Sequence, residues 1–162
     1  MQSAEPVAAQ REPTETAMFR RILVPVSLRK PSHRAVRIAA ELHRRLGASV
    51  CVFHAVHSGE NDHYLAGLGS PISRSDLLED GRAELRQFVE DVAPAEANAI
   101  ECDANLEESS MDAIRTKARE WGATLLVLSP ESHPSLLRTH SEKLMRSLAV
   151  PVLVLEPPDS EP

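Results

Sequence analysis

Residues 20–56 read RRILVPVSLRKPSHRAVRIAAELHRRLGASVCVFHAV, and the change of period inside this stretch decides the fold class. Arg20–Val26 (RRILVPV) is a short β-branched run, apolar on both sides, as expected of a strand covered on both faces. From Pro31 onward Ala35, Ile38, Ala39, Leu42 and Leu46 recur at helical spacing. Arg34, Arg37, Glu41, Arg44 and Arg45 fall on the opposite side, and Gly47 ends the segment. Ser49–Val56 (SVCVFHAV) returns to strand character with neither face polar enough for water. Strand, amphipathic helix and buried strand in succession make a βαβ unit.

The pattern continues to the end of the chain. The connection His57–Ile72 carries three glycines and Pro71 without periodicity. A second helix is expected over Ser73–Val92, striped by Leu78, Leu85, Val89 and Val92 and stopped by Pro94. Glu96–Asp103 reads as a more polar strand suited to a sheet edge, and Glu107–Trp121 as a third helix, closed by Gly122, with Trp121 in the core. Ala123–Leu128 is the strongest strand, a short helix is expected near Thr139–Leu148, and Pro151–Leu155 (PVLVL) is the last strand. Five strands alternating with helices predict an α/β fold, an open parallel sheet of Rossmann-like or flavodoxin-like type with strand order 3-2-1-4-5. Residues 1–18 are expected to be a disordered leader, with a possible second start at Met18. Residues 19–156 are expected to be the domain, and 157–162 a tail.

Composition narrows the function. With 162 residues, 42% hydrophobic and only 3% aromatic, the chain has an aliphatic core and almost no stacking platforms for nucleic acid. A net charge of -6 gives no general attraction to phosphate backbones or anionic membranes. Charge is uneven, +6 over residues 11–45 and -11 over residues 60–112, which reads as solvated helix faces. Cys51 and Cys102 have no CxxC spacing, so no zinc site or disulfide framework is implied and a reducing, cytoplasmic setting is expected. No apolar run is long enough for a membrane span. Cys51 is expected in the core and Cys102 half-buried without a basic neighbour. His54 and His57 fall on opposite sides of a strand and cannot share a metal there. Ser132 beside His133 lacks the context of a hydrolase nucleophile, so no enzyme activity is expected.

The opening ILVPV, the helix leading into a Gly-Ala-x-Val strand, and the closing EKLMRSLAVPVLVLE together resemble the universal stress protein family over about residues 19–156. That resemblance implies a five-stranded Rossmann-like sheet in a cytosolic, usually dimeric protein linked to stress survival. One branch of the family binds ATP through an acidic residue directly after the first strand and a G-x2-G-x9-G-[S/T] loop after the fourth. Such glycines let main-chain N–H groups approach phosphate oxygens at a helix start. Here the acidic position is Ser27. The loop from Ser129 to Thr139 (SPESHPSLLRT) has no glycine, is shorter than the ATP pattern, and includes Pro130, Glu131 and Pro134. It resembles the branch that does not bind ATP, so no cofactor is expected.

The switch-point crevice between the first and fourth strands is expected to be lined by Ser27, Leu28, Arg29, Lys30, Ser129 and Ser132. Arg138, Thr139, His140 and Ser141 start the last helix. There Thr139 serves as a cap, or the helix end and Arg138 together hold a nucleotide or other anion. The last strand is an apolar edge without Lys or central Pro, so Val152, Leu153, Val154 and Leu155 are expected to pair with a second copy in a homodimer. Leu153→Pro and Val154→Lys are the substitutions expected to break that pairing. The reading is a non-catalytic, dimeric binding or regulatory module of the stress response, with a small-molecule binder as the alternative.

Overall fold

The computed structural model describes residues 15–28, 32–56, 73–106, 109–129 and 146–155. Glu15–Phe19 forms a 3-10 turn, followed by strand β1 (Arg21–Pro25), helix α1 (Ser32–Leu46), β2 (Ser49–Val56), α2 (Arg74–Val92), β3 (Glu101–Leu106), α3 (Ser110–Trp121), β4 (Leu125–Leu128) and β5 (Val152–Val154). All strand pairs are parallel, in the order β3-β2-β1-β4-β5. This is the expected open α/β sheet, and the strand order reverses between β1 and β4.

Alternation along each strand divides the core in two. Ile22, Val24 and Val26 of the first strand segment and Val50 and Val52 of β2 face α1 and α2, where they meet Ala35, Val36, Ala39, Leu85 and Val89. Leu23, Cys51, Phe53, Leu126 and Leu128 face α3, where they meet Ala113, Ile114 and Ala118. Each fully buried Val, Leu, Ile or Phe contributes about 1.5–3 kcal/mol, so the strands of the central sheet carry most of the stabilisation. Alanines on α1 let that helix lie close to the sheet.

Caps set the helix starts. Ser73 accepts a hydrogen bond from the Asp76 N–H at 3.2 Å and opens α2; Ser109 does the same for the Asp112 N–H at 3.4 Å and opens α3. The third helix therefore starts at Ser110, not at Glu107. Gly122, at φ +71°, takes the left-handed position that ends α3. The third strand begins at Glu101 rather than Glu96. Ala97–Ala99 continues turning as a 3-10 helix, because Ala, Glu and Asn favour the turn over an extended chain. Leu46, placed on the apolar stripe by its spacing, is 48% exposed at the last residue of α1.

Trp121 also departs from expectation. It is half-buried: its Nε1–H donates to Glu101 at 2.9 Å, and the Arg21 guanidinium lies 4.3 Å from its ring centroid. Of the last helix, Arg146 and Ser147 are helical; Thr139 to Lys143 and the rest of its start lie outside the described residues.

The β5 edge has a defined polarity. Pro151 O accepts from the Leu126 N–H and the Leu155 N–H donates to Leu128 O, so odd-numbered residues of this strand face β4 and even-numbered ones face outward. Leu153→Pro would thus remove a bond of the subunit's own sheet. Val152 and Val154 carry the outward groups.

Candidate functional site

The turn after β1 stands at the switch point. The Ser27 N–H donates to Ser32 Oγ at 3.2 Å, and the two hydroxyls are 3.5 Å apart. Ser32 is fully buried at the first position of α1, so the turn is closed by its own side chains. Leu28 follows at φ +60°, a left-handed conformation uncommon for leucine, and it is half-buried against the core.

Two further polar groups reach this end of the sheet. His54 Nδ1 lies 3.0 Å from Val26 O; a carbonyl only accepts, so Nδ1 carries a proton and donates it there. Ser129, immediately after β4, is 8% exposed, and its hydroxyl has no hydrogen-bond partner among the described residues. Ser27, Leu28 and Ser129 are the described members of the expected crevice. Arg29, Lys30, Ser132, Arg138, Thr139, His140 and Ser141 lie outside the described residues, as does His57.

Neither cysteine suits nucleophilic chemistry. Burial pushes the Cys51 thiol up to about 12, with nearby Lys117 opposing the shift. Burial also raises Cys102, although Arg86 lies close enough to oppose it, a basic neighbour that sequence spacing did not reveal. Both thiols are unpaired. A thiol reagent at pH 8 is expected to leave Cys51 unmodified in the native protein and to label it only on unfolding; rapid labelling of the C102S variant would refute this. Among the described residues no group of three or more His, Cys, Asp or Glu side chains is arranged to hold a metal.

Away from the crevice, the β3 edge gathers charges that sequence reasoning missed. Lys117 Nζ lies 2.9 Å from Asp103 Oδ2 and 3.7 Å from Glu101 Oε1, while Arg82 reaches Asp103 Oδ1 at 3.4 Å from the other face. An open cleft of about 230 Å³ lies nearby, lined by Arg86, Val89, Glu90, Ala97, Asn98, Ile100 and Cys102. No helix among the described residues is long and apolar enough to cross a membrane.

Known proteins share this arrangement. The chain is similar to a universal stress protein solved in complex with cAMP, with 22% identity over 85% of this chain and 97% of that one and a TM-score of 0.59. It is similar to a protein of the universal stress protein family from Burkholderia pseudomallei, with 24% identity, 86% and 97% coverage and a TM-score of 0.57. It is also similar to the universal stress protein from Archaeoglobus fulgidus in complex with dAMP, with 17% identity, 85% and 98% coverage and a TM-score of 0.53. At these identities the likeness speaks for the fold. A comparison with curated proteins gave no match. The sequence profile of the universal stress protein family matches residues 18–156, a span that holds every strand of the sheet, the switch point and the closing β5, and the chain therefore belongs to the universal stress protein family.

Proposed function

We propose that this chain is a non-catalytic, dimeric binding and regulatory protein of the stress response, and that it works in the cytoplasm without ATP. The observation that carries this reading is the turn after β1. Where ATP-binding relatives carry an acidic residue, Ser27 turns its N–H and hydroxyl onto the buried Ser32, so its polar groups serve the fold. The glycine-free loop that follows β4 supports the same conclusion, since Pro130 and Pro134 remove two N–H donors that a phosphate would need.

Calorimetry tests the nucleotide half of the proposal. Titration of the full chain with ATP should give no saturable heat at micromolar concentration; saturable binding would overturn it. Sedimentation tests the assembly. The wild type should run as a dimer at high micromolar concentration, and Val154→Lys, which places a charge on a residue whose main chain faces outward at β5, should run as a monomer. A wild-type monomer would refute the dimer.

A second reading, a small-molecule binder, is favoured by the buried Ser129 hydroxyl and by the relatives solved with cAMP and dAMP. In that case Arg29, Lys30, Arg138 and the segment 138–141, expected from the sequence to start a helix, would hold the anion. Saturable binding of cAMP that Arg138→Ala weakens would establish it.

A further inference from the structure

The two edges of the sheet are unequal. In the β1–β2 ladder Phe53 O accepts from the Val26 N–H and the Ser49 N–H donates to Arg20 O, so the odd-numbered residues of β2 face β1. Its even-numbered residues must then face β3. With Val52 opposite Cys102, the odd-numbered residues of β3 carry that ladder, and the N–H and C=O groups of Cys102, Ala104 and Leu106 point away from the sheet.

Three of these outward groups, the N–H groups of Ala104 and Leu106 and the Leu106 carbonyl, are bound by side chains of the subunit itself. Asp103 Oδ1 accepts the Ala104 N–H at 2.9 Å, and Asn105 Oδ1 accepts the Leu106 N–H at 2.8 Å. Arg74 donates to Leu106 O at 2.9 Å. The Asp103 carboxylate is held in place from both helix layers, by Lys117 of α3 and Arg82 of α2. At the opposite edge, no side chain among the described residues bonds the outward main-chain groups of Val152 or Val154, and Leu153 and Val154 are each 38% exposed. An incoming strand at β3 must displace the hydrogen bonds of Ala104 and Leu106; at β5 it meets none among the described residues.

We infer that Asp103 and Asn105 close the β3 edge to strand addition, so that a second copy of this chain extends the sheet only at β5 and assembly stops at two. The limit of two rests on the β5 pairing proposed above; the closure of β3 does not.

The test uses the full chain with Asp103→Val, Asn105→Val and Lys117→Met together. Valine suits a strand but accepts no hydrogen bond, and Met removes the ammonium that Asp103 would otherwise leave unpaired. Sedimentation of this variant should show species larger than the dimer that grow with concentration. Adding Val154→Lys should bring it back to a dimer, now joined through β3. A cooperatively folded variant that keeps the wild-type mass would overturn the inference. If the wild type proves monomeric, the β5 reading fails, yet a variant that dimerises still supports closure of β3 and one that stays monomeric refutes it. Should the triple variant not fold, Asn105→Val alone answers through amide exchange. The Leu106 N–H should exchange roughly tenfold faster without its acceptor, and an unchanged rate would overturn the inference.

Discussion

Replacing Phe53 by Ala should cost about 3–5 kcal/mol of stability and leave the chain barely folded at room temperature. Among the described residues Phe53 is the largest of the fully buried side chains, lying on β2 beneath α3 among Leu23, Leu126, Leu128, Ala113 and Ile114. The buried side chains of its cluster are aliphatic, and those on rigid strands collapse poorly into the space a ring leaves. Urea titration checks this: the midpoint should fall sharply while the slope stays constant. Phe53→Leu, which keeps most of the volume, should cost only about 1.5 kcal/mol. A loss below about 1 kcal/mol for the alanine variant would mean that the space beneath α3 is not packed as described.

The second large effect concerns the charges at β3, and it is asymmetric. Asp103→Ala should cost about 2–3 kcal/mol, because it strands the Lys117 ammonium, whose side chain is only 14% exposed, with Glu101 at 3.7 Å as its remaining partner. Lys117→Met should cost about 1 kcal/mol or less, since the more exposed Asp103 carboxylate keeps Arg82 and the Ala104 N–H. The double variant should then be more stable than Asp103→Ala alone, a coupling that a double-mutant cycle measures directly. Equal costs for the two single variants would refute the account.

The pH dependence has a definite sign. Burial disfavours the charged form of Lys117, but the hydrogen bond to Asp103 and the neighbouring charges outweigh it and raise its pKa above the ordinary 10.5. A folded-state pKa above the unfolded one means that this contribution is fully present below the unfolded value and is lost as pH rises through the folded one. Wild-type stability should therefore fall above about pH 10.5, and the part due to this residue should vanish in Lys117→Met.

Of the candidate crevice, the places of Ser27 and Ser129 at strand ends were legible in the sequence, and their contacts were not. Ser27 could be seen as the residue that occupies the acidic position after the first strand, because strand ends follow from the apolar run ILVPV. That it is tied to Ser32 could not, since the contact depends on the conformation of the turn between them, which hydrophobic period does not fix. The Lys117–Asp103 pair was also hidden. Its members lie 14 residues apart on different elements, and only the crossover from β3 to α3 brings them together. Trp121 fitted a helical stripe, yet the stripe's end lies at the rim of the sheet, where Arg21 and Glu101 claim the ring.

By itself the sequence determined the alternation of strands and helices, the exact extent of the second strand, Ser49–Val56, and the apolar character of the closing strand, because hydrophobic period is a local property that fixes which face of an element is buried. Only the tertiary structure decided which main-chain groups of an edge strand look outward. That choice depends on register with the neighbouring strand, and it is why Val154 and not Leu153 presents its N–H at the β5 edge, and why Asp103 and Asn105 are placed to cover the β3 edge.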